Sequence, residues 1–147
     1  MPEKNFKLEQ VLKYRTEIEK VRIQELFSAR HELDLAAERV RMVEELLAAA
    51  TVDFRSRQEE LTGIDDIRVY SRYFSRKREE LITGKDEVER LAVAVEERLD
   101  ILVEASKDKK TLELLKERKS EEFRTAVRKR EQNFMDEIAT QKKKTAE

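Results

Sequence analysis

The side chains that could bind a metal ion or transfer a proton are 33 Asp and Glu residues and one His, with no Cys. A metal site needs several such ligands converging on one point. The histidine, His31, has no second His or Cys to complete a set, and its neighbour Glu32 would point to a different side of a helix. We therefore predict that His31 lies on the surface and that the acids cover solvated helix faces.

The sequence also lacks the glycine-rich loop that is typical of a phosphate-binding site. The chain contains two glycines, Gly63 and Gly84, and no GxxxxGK[ST] segment, so no glycine-rich loop is available to surround a phosphate. We predict no catalytic residue, no metal site and no cofactor, and therefore a protein that is not an enzyme.

The charge pattern argues against two further classes of partner. Charged residues make up 44% of the 147 residues, but the formal net charge is −1, so no global basic field attracts nucleic acid or an anionic membrane. Residues 107–147 are locally basic, with 13 Lys and Arg against 9 Asp and Glu. No apolar run is long enough to span a bilayer, and the start of the chain does not resemble a signal peptide. We predict no nucleic-acid partner and no direct insertion into a bilayer.

The elements that carry these side chains are set by a long apolar repeat. Between Leu26 and Leu61 the steps alternate between three and four residues, which is the heptad pattern of a coiled coil, and only Arg57 interrupts it. A helix this polar on its other faces needs a partner stripe. The repeat consists of Leu26, Ala29, Leu33, Ala36, Val40, Val43, Leu47, Ala50, Phe54, Arg57 and Leu61.

A second stripe in the same chain can supply that partner. Folding the chain near Gly63 brings the two stripes together, with Phe54 facing the region of Phe74 and Val40 facing Val88. Long helices joined by a short connection pack as antiparallel neighbours. The second stripe consists of Phe74, Leu81, Val88, Leu91, Val95, Leu99, Leu102 and Ala105.

The predicted fold class is therefore all-α, a long antiparallel two-helix coiled-coil hairpin with a C-terminal helical overhang. We expect a single hairpin over residues 1–147, with helix one over about 5–62, a turn over about 63–66 and helix two over about 67–142. The alternative is a scaffold that self-associates as a parallel dimer, in which helix one pairs with its own copy.

Local signals suggest where the helices begin and end. Asn5 is a plausible cap for helix one, and Gly63 in the left-handed conformation would close that helix. Asp65 or Asp66 would cap helix two. The segment Thr83–Asp86 resembles a second break, but a seven-residue apolar step runs through it, so we predict one continuous helix there.

Before residue 22 the heptad positions of the main seam are no longer all apolar. Continued toward the N-terminus, the seam includes Arg15, Glu19 and Arg22, while apolar residues form a neighbouring stripe on the same helix. We therefore predict that the seam shifts face, as a stutter requires. The neighbouring stripe consists of Val11, Ile18 and Val21.

Two segments are candidates for partner contact. The tyrosines Tyr70 and Tyr73, with Phe74, follow the predicted turn and are too many to be buried on one face. Residues beyond about 124 have no opposing residues in the predicted hairpin, yet they retain large apolar side chains on one stripe. These side chains are Val127, Phe134 and Ile138.

Several of these features together resemble one family, the flagellar type III export protein FliJ. The features are F-x-L-E-x-V-L-x-Y-R over 6–15, the long heptad helix, Tyr70 and Tyr73 at the tip, K-K-x-L-E-x-L-K-E-R over 109–118, and D-E-I-A over 136–139. The resemblance covers nearly the whole chain, and its specificity lies in the order and spacing of these features.

The resemblance implies a role in protein export without catalysis. Members fold as an antiparallel two-helix coiled coil and resemble the central stalk subunit of rotary ATPases. They bind the hexameric export ATPase and help it assemble, bind the cytoplasmic domain of the membrane export gate, and interact with export chaperones. The implied location is cytoplasmic, peripherally associated with the inner-membrane export apparatus. The stalk protein of a virulence type III secretion system is the alternative within this class, and the opening F-x-L-E-x-V-L-x-Y-R favours the flagellar one.

We expect two partner-binding surfaces. The export gate is expected at the tip, on Phe54, Tyr70, Tyr73 and Phe74. The ATPase ring is expected near the chain ends, on Val127, Arg128, Lys129, Arg130, Phe134 and Ile138.

Overall fold

The computed structural model describes residues 6–60 and 63–146 and consists of two long α-helices. Helix α1 spans Glu9–Arg57 and helix α2 spans Ile64–Thr145. Contacts divide the chain into two compact units. The middle unit comprises Arg22–Leu102, and the terminal unit comprises Met1–Val21 with Val103–Glu147. No strand occurs in the described ranges, and the all-α prediction is confirmed.

The middle unit is a pair of antiparallel helix segments. Its interhelix ion pairs join Glu25 to Arg98 at 3.6 Å, Arg39 to Glu87 at 3.8 Å and Glu44 to Lys85 at 3.8 Å, so residue numbers rise on one helix as they fall on the other. Exposed pairs of this kind contribute about 0–1 kcal/mol each. The stability of the unit must therefore come mainly from its apolar seam.

The predicted seam of α1 is the face that α1 buries in this unit. Leu26 and Ala36 are buried, at 6% and 2% exposure, and the remaining predicted positions up to Phe54 are half-buried. Arg57 is exposed, and Leu61 lies outside the described residues. On α2 the predicted stripe from Phe74 to Leu102 is also half-buried, except Leu99, which is exposed.

The connection between the helices differs from its prediction. Helix α1 ends at Arg57, where the N–H of Glu60 donates to the Arg57 carbonyl at 2.9 Å. Gly63 is not left-handed, because the helix has already ended before it and no reversal is required there. Helix α2 begins at Ile64, so Asp65 and Asp66 lie inside its first turn, where negative charge is favourable, and are not its cap. The proposed cap Asn5 lies outside the described residues.

Gly84 is inside α2, which runs through the Thr83–Asp86 segment without a break, as predicted. A Cβ placed on Gly84 would lie only 2.9 Å from Val40 Cγ2, closer than two carbons can pack. Valine has few alternative side-chain conformations in a helix. Val40 therefore packs against the backbone of α2 at Gly84. This position is about one turn from Val88, the residue predicted to face Val40.

The terminal unit places polar residues within its seam, and the predicted stutter is wrong. Leu12 and Ala105 are buried, while Arg15 and Glu19 are half-buried. Val11 and Val21 of the predicted neighbouring stripe are exposed instead, although Ile18 is half-buried. The polar side chains stay in the seam because α2 supplies partners for them. Asp108 accepts from Arg15 at 3.3 Å, and Lys109 donates to Glu19 at 3.1 Å.

Glu19 and Lys109 are the less exposed of these partners, and their bond shifts both titrations. The hydrogen bond from Lys109, supported by one from Ser106, lowers the pKa of Glu19 below its ordinary 4.5. The same bond raises the pKa of Lys109 above its ordinary 10.5. The stabilisation that Glu19 gives the folded state is therefore complete above pH 4.5 and is lost as pH falls through the lower pKa of Glu19 in the folded state. The stabilisation from Lys109 is complete below pH 10.5 and is lost as pH rises through its higher pKa in the folded state.

We expect Glu19→Gln to lower the free energy of unfolding by about 1 kcal/mol at neutral pH, because Lys109 then loses a charged acceptor. The difference from wild type should shrink as pH falls below 4.5 and through the lowered pKa of Glu19. Urea unfolding followed by circular dichroism over a series of pH values from neutral into this acidic range tests this. Glu17→Gln is the matched control, because Glu17 is 70% exposed and its ion pair, with Lys20, lies within its own helix. An equal effect of both variants, or one independent of pH, would contradict the assignment.

In the terminal unit α2 extends past the start of α1. Glu9, the first residue of α1, pairs with Lys116 at 2.9 Å, whereas α2 continues to Thr145. Phe123, Ala126 and Val127 are half-buried, and every residue from Arg128 to Glu137 is exposed. No helix in the described part of the chain is long and apolar enough to cross a membrane.

Candidate partner-binding surfaces

Four aromatic side chains form one cluster in the middle unit. The ring of Phe54 on α1 lies 5.2 Å from Tyr70 and 6.2 Å from Phe74, both edge to face. Tyr70 and Phe74 are stacked at 6.5 Å, and Tyr73 meets Phe74 at 6.3 Å. Such pairs contribute about 0.5–1.5 kcal/mol each beyond the area they bury. The structure thus brings together all four residues expected at the tip, and each is half-buried.

A polar chain orients Tyr70 within this cluster. Its hydroxyl donates to Asp53 Oδ2 at 2.8 Å, and Asp53 Oδ1 pairs with Arg57 at 3.2 Å. The hydrogen bond to Asp53 raises the pKa of Tyr70, because losing the proton would place two negative oxygens side by side. Tyr70 is therefore an anchored hydroxyl donor, whereas Tyr73 contacts Phe74 and the ammonium group of Lys77, 5.6 Å from its ring centre.

The cluster separates two grooves between the helices. The first, the Asp53 groove, is lined by Leu46, Ala49, Ala50, Asp53, Val69, Tyr70 and Tyr73. The second, the Arg78 groove, is lined by Leu47, Thr51, Phe54, Ile67, Tyr70, Ser71, Phe74 and Arg78. Each groove has an apolar floor and one charged residue at its edge. The two charges have opposite sign, so the two grooves favour different partners.

The large apolar side chains most open to solvent near the cluster are aliphatic, and the sequence reasoning missed them. Val52, Ile64 and Val69 are largely exposed, and Ile67 is about half exposed. Val52, Ile64 and Val69 lie off both seams, at positions where a hairpin without partners would have polar residues. Apolar residues outside the heptad stripes were therefore the sequence feature that could have identified this surface. Of these side chains, Val69 lines the Asp53 groove and Ile67 lines the Arg78 groove, so these two add apolar area that a partner could cover.

The C-terminal part of α2 presents a second candidate surface. Phe134 is 62% exposed and its neighbour Met135 is similarly open, while Val127 and Ile138 are half-buried. Val127, Phe134 and Ile138 follow one another at helical spacings of seven and four, so they lie on one stripe. The heptad positions that continue the inner seam beyond Ala126 are polar, namely Arg130, Asn133 and Glu137. This C-terminal stripe is therefore not a continuation of the seam that packs against α1.

The basic residues beside this stripe surround the helix. Arg128, Lys129 and Arg130 are all exposed, and three consecutive helical residues point in different directions. Within the described ranges none of the three forms an ion pair with an acid. Lys129 lines a shallow groove with Arg118, Glu121, Glu122, Thr125 and Ala126. The segment thus offers unpaired positive charge on several sides of an apolar stripe.

No group of three or more His, Cys, Asp or Glu is arranged to hold a metal ion in the part of the chain that the structure describes. His31 is exposed, as its sequence context indicates. The candidate sites are the two grooves and the C-terminal stripe, whose apolar and charged side chains suit binding to other macromolecules.

Comparison with known proteins adds one finding. The family model described as flagellar FliJ protein matches residues 4–146, nearly the whole chain. No curated protein and no solved structure matches the chain.

Proposed function

Because the chain belongs to the flagellar FliJ protein family, we propose that it is a non-enzymatic connector that binds the hexameric flagellar export ATPase and promotes its assembly and activity. The family makes it a flagellar protein associated with export. In the proposed role it also links the ATPase to the cytoplasmic domain of the export gate and to export chaperones. The match over residues 4–146 is the observation that carries this proposal.

The proposed ATPase contact is the C-terminal stripe of α2. Phe134 and Ile138 could each contribute about 1.5–3 kcal/mol if a partner buries them fully. Arg128, Lys129 and Arg130 suit an acidic surface that surrounds the helix, as the lumen of a ring would. Charges of this kind accelerate docking and fix orientation more than they add affinity.

The proposed gate contact is the aromatic cluster with the Asp53 groove. Tyr73 lies at the edge of the cluster and lines this groove, beside the exposed side chain of Val69. Tyrosine is among the residues that most often dominate a protein interface, because it buries a large area and loses little conformational freedom. The connector would then bind peripherally at the inner membrane through a protein, without inserting into the bilayer.

We expect Tyr73→Ala to weaken binding to the cytoplasmic domain of the export gate by about tenfold or more, the size of loss typical of an interface tyrosine. The variant should keep its helicity, since Phe54, Tyr70 and Phe74 still contact one another. Calorimetry of binding and circular dichroism measure the two effects. Phe27→Ala is the control, because Phe27 is an exposed aromatic of the same unit outside the cluster. If helicity falls with affinity, Tyr73 is only a packing residue.

The proposed function as a whole is tested by mixing the full-length chain with the export ATPase of the same organism. We expect the two to co-elute and ATP hydrolysis to rise. Light scattering of the chain alone should give the mass of a monomer. A dimer with no effect on the ATPase would favour the self-associating scaffold, and binding to a virulence export ATPase in preference to the flagellar one would favour that system.

A further inference from the structure

The Arg78 groove lies across the aromatic cluster from the Asp53 groove and shares the rings of Phe54, Tyr70 and Phe74 with the proposed gate contact. The function proposed above assigns no partner to the rest of its lining, which includes Leu47, Ile67 and Arg78. We propose that the Arg78 groove is a docking site for an acidic amphipathic helix of a protein partner. The proposal depends on the shape of the floor, on the charge of the rim and on the contrast with the Asp53 groove.

The floor of the groove has the spacing that a third helix would match. Leu47 and Phe54 are seven residues apart on α1, and Ile67 and Phe74 are seven residues apart on α2. Seven residues make two helical turns, so each pair forms two successive contact points along a groove. Amphipathic helices bind such grooves through apolar residues repeated every three, four and seven positions. Ile67 is 49% exposed, which leaves apolar area for an incoming helix to bury.

The rim of the groove is basic. The Arg78 guanidinium lies 6.0 Å from the centre of the Phe74 ring, and no carboxylate pairs with it in the described part of the chain. Arg55 lies one turn after Thr51 on α1, and Arg68 lies one turn before Ser71 on α2, so the helical spacing puts both on this side. Both are exposed. The charged side chain that lines the groove itself is Arg78, and no acid lines it among the described residues.

The Asp53 groove supplies the contrast. There the charged lining residue is an acid, and its carboxylate already accepts from Tyr70 and pairs with Arg57. A helix with acids flanking its apolar stripe would be attracted by the unpaired Arg78, whereas the Asp53 groove has no basic side chain among its lining residues to attract it. The opposite charges would direct a partner of this chemistry to one groove, since placing like charges together is costly.

The test uses two synthetic helical peptides with Leu at alternating third and fourth positions. One carries Glu at the flanking positions, and the other is identical except for Lys in place of each Glu. Fluorescence anisotropy with the full-length chain should show binding of the Glu peptide, weakened by added salt, and at least tenfold weaker binding of the Lys peptide. Arg78→Glu should reduce the affinity for the Glu peptide about tenfold, because a favourable charge is replaced by a repulsive one.

Arg76→Glu is the matched control. Arg76 lies two residues from Arg78 on the same helix and lines a different groove, around Gly84, so this variant should bind the Glu peptide as wild type does. Ile67→Ala tests the floor and should also weaken binding. Circular dichroism shows that each variant keeps its helicity.

Three results would overturn the proposal. Equal binding of the Glu and Lys peptides would show that charge does not select the occupant. Equal losses for Arg76→Glu and Arg78→Glu would place the peptide elsewhere. Binding to phosphatidylserine vesicles, lost in Arg78→Glu and unaccompanied by peptide binding, would make the groove a membrane contact.

Discussion

Leu26→Asp is expected to lower the free energy of unfolding by about 4 kcal/mol, because it places an unpaired carboxylate in the apolar seam of the middle unit. Leu26 is 6% exposed and is one of four buried apolar residues in the described part of the chain, with Leu12, Ala36 and Ala105. A seam this thin has few other contacts to compensate for the loss. Urea denaturation followed by circular dichroism measures the effect.

The adjacent residue provides the control for this substitution. Phe27 lies next to Leu26 in the interior of the same helix but is 75% exposed. Phe27→Asp should therefore change the free energy of unfolding by less than about 0.5 kcal/mol. The comparison separates burial in the seam from the helix propensity of Asp, which is the same at both positions. Similar losses for the two variants would mean that the heptad seam is not what holds the helices together.

Truncation after Arg124 is expected to abolish stimulation of the export ATPase while leaving the two helices folded. The truncated chain keeps the three interhelix ion pairs described in the terminal unit, Glu9 with Lys116, Arg15 with Asp108 and Glu19 with Lys109. It loses the C-terminal stripe and the basic residues beside it. The measurements are the rate of ATP hydrolysis with and without the chain, and circular dichroism of the truncated chain.

Because the truncation removes apolar and basic side chains together, a charge-reversal variant is needed to separate their effects on ATPase binding. Reversing Arg128, Lys129 and Arg130 should weaken ATPase binding and reduce its dependence on salt, with the apolar side chains still present. If the truncated chain stimulates the ATPase as well as the full-length chain does, the contact lies elsewhere, and the start of α1 around Leu8, Val11 and Tyr14 becomes the expected surface. Those three side chains are themselves exposed.

The buried face of α1 could be predicted because helical periodicity depends only on local geometry. The steps of three and four from Leu26 to Phe54 therefore identified which side chains face α2. The predicted register between α1 and α2 was wrong by about one helical turn, because the register depends on where α1 ends. The sequence predicted that α1 ends at Gly63. In the structure α1 ends at Arg57, whose carbonyl accepts a hydrogen bond from the Glu60 amide.

The polar seam of the terminal unit could not be predicted from one helix alone. Arg15 and Glu19 looked unsuited to a buried stripe, and moving the seam to Val11 and Val21 was the simpler expectation. Their placement depends on Asp108 and Lys109, residues roughly ninety positions away in the chain, and only the pairing of the helices shows that these charges meet.

The aromatic cluster was predictable as a group and not in its arrangement. The residues Tyr70, Tyr73 and Phe74 are close in sequence, so their proximity follows from helix geometry. Which of them is anchored depends on Asp53 on the other helix, and the division into two grooves of opposite charge depends on the register of both helices.

Gly84 has a consequence for the alignment of the two helices in the middle unit. A heptad repeat tolerates sliding by seven residues, because apolar residues then meet apolar residues again. Sliding α2 by seven in either direction would place Lys77 or Leu91 opposite Val40, where a Cβ has no room unless the helices separate and lose their packing. A single hydrogen atom in place of a side chain thus selects one alignment among several that the apolar pattern would accept.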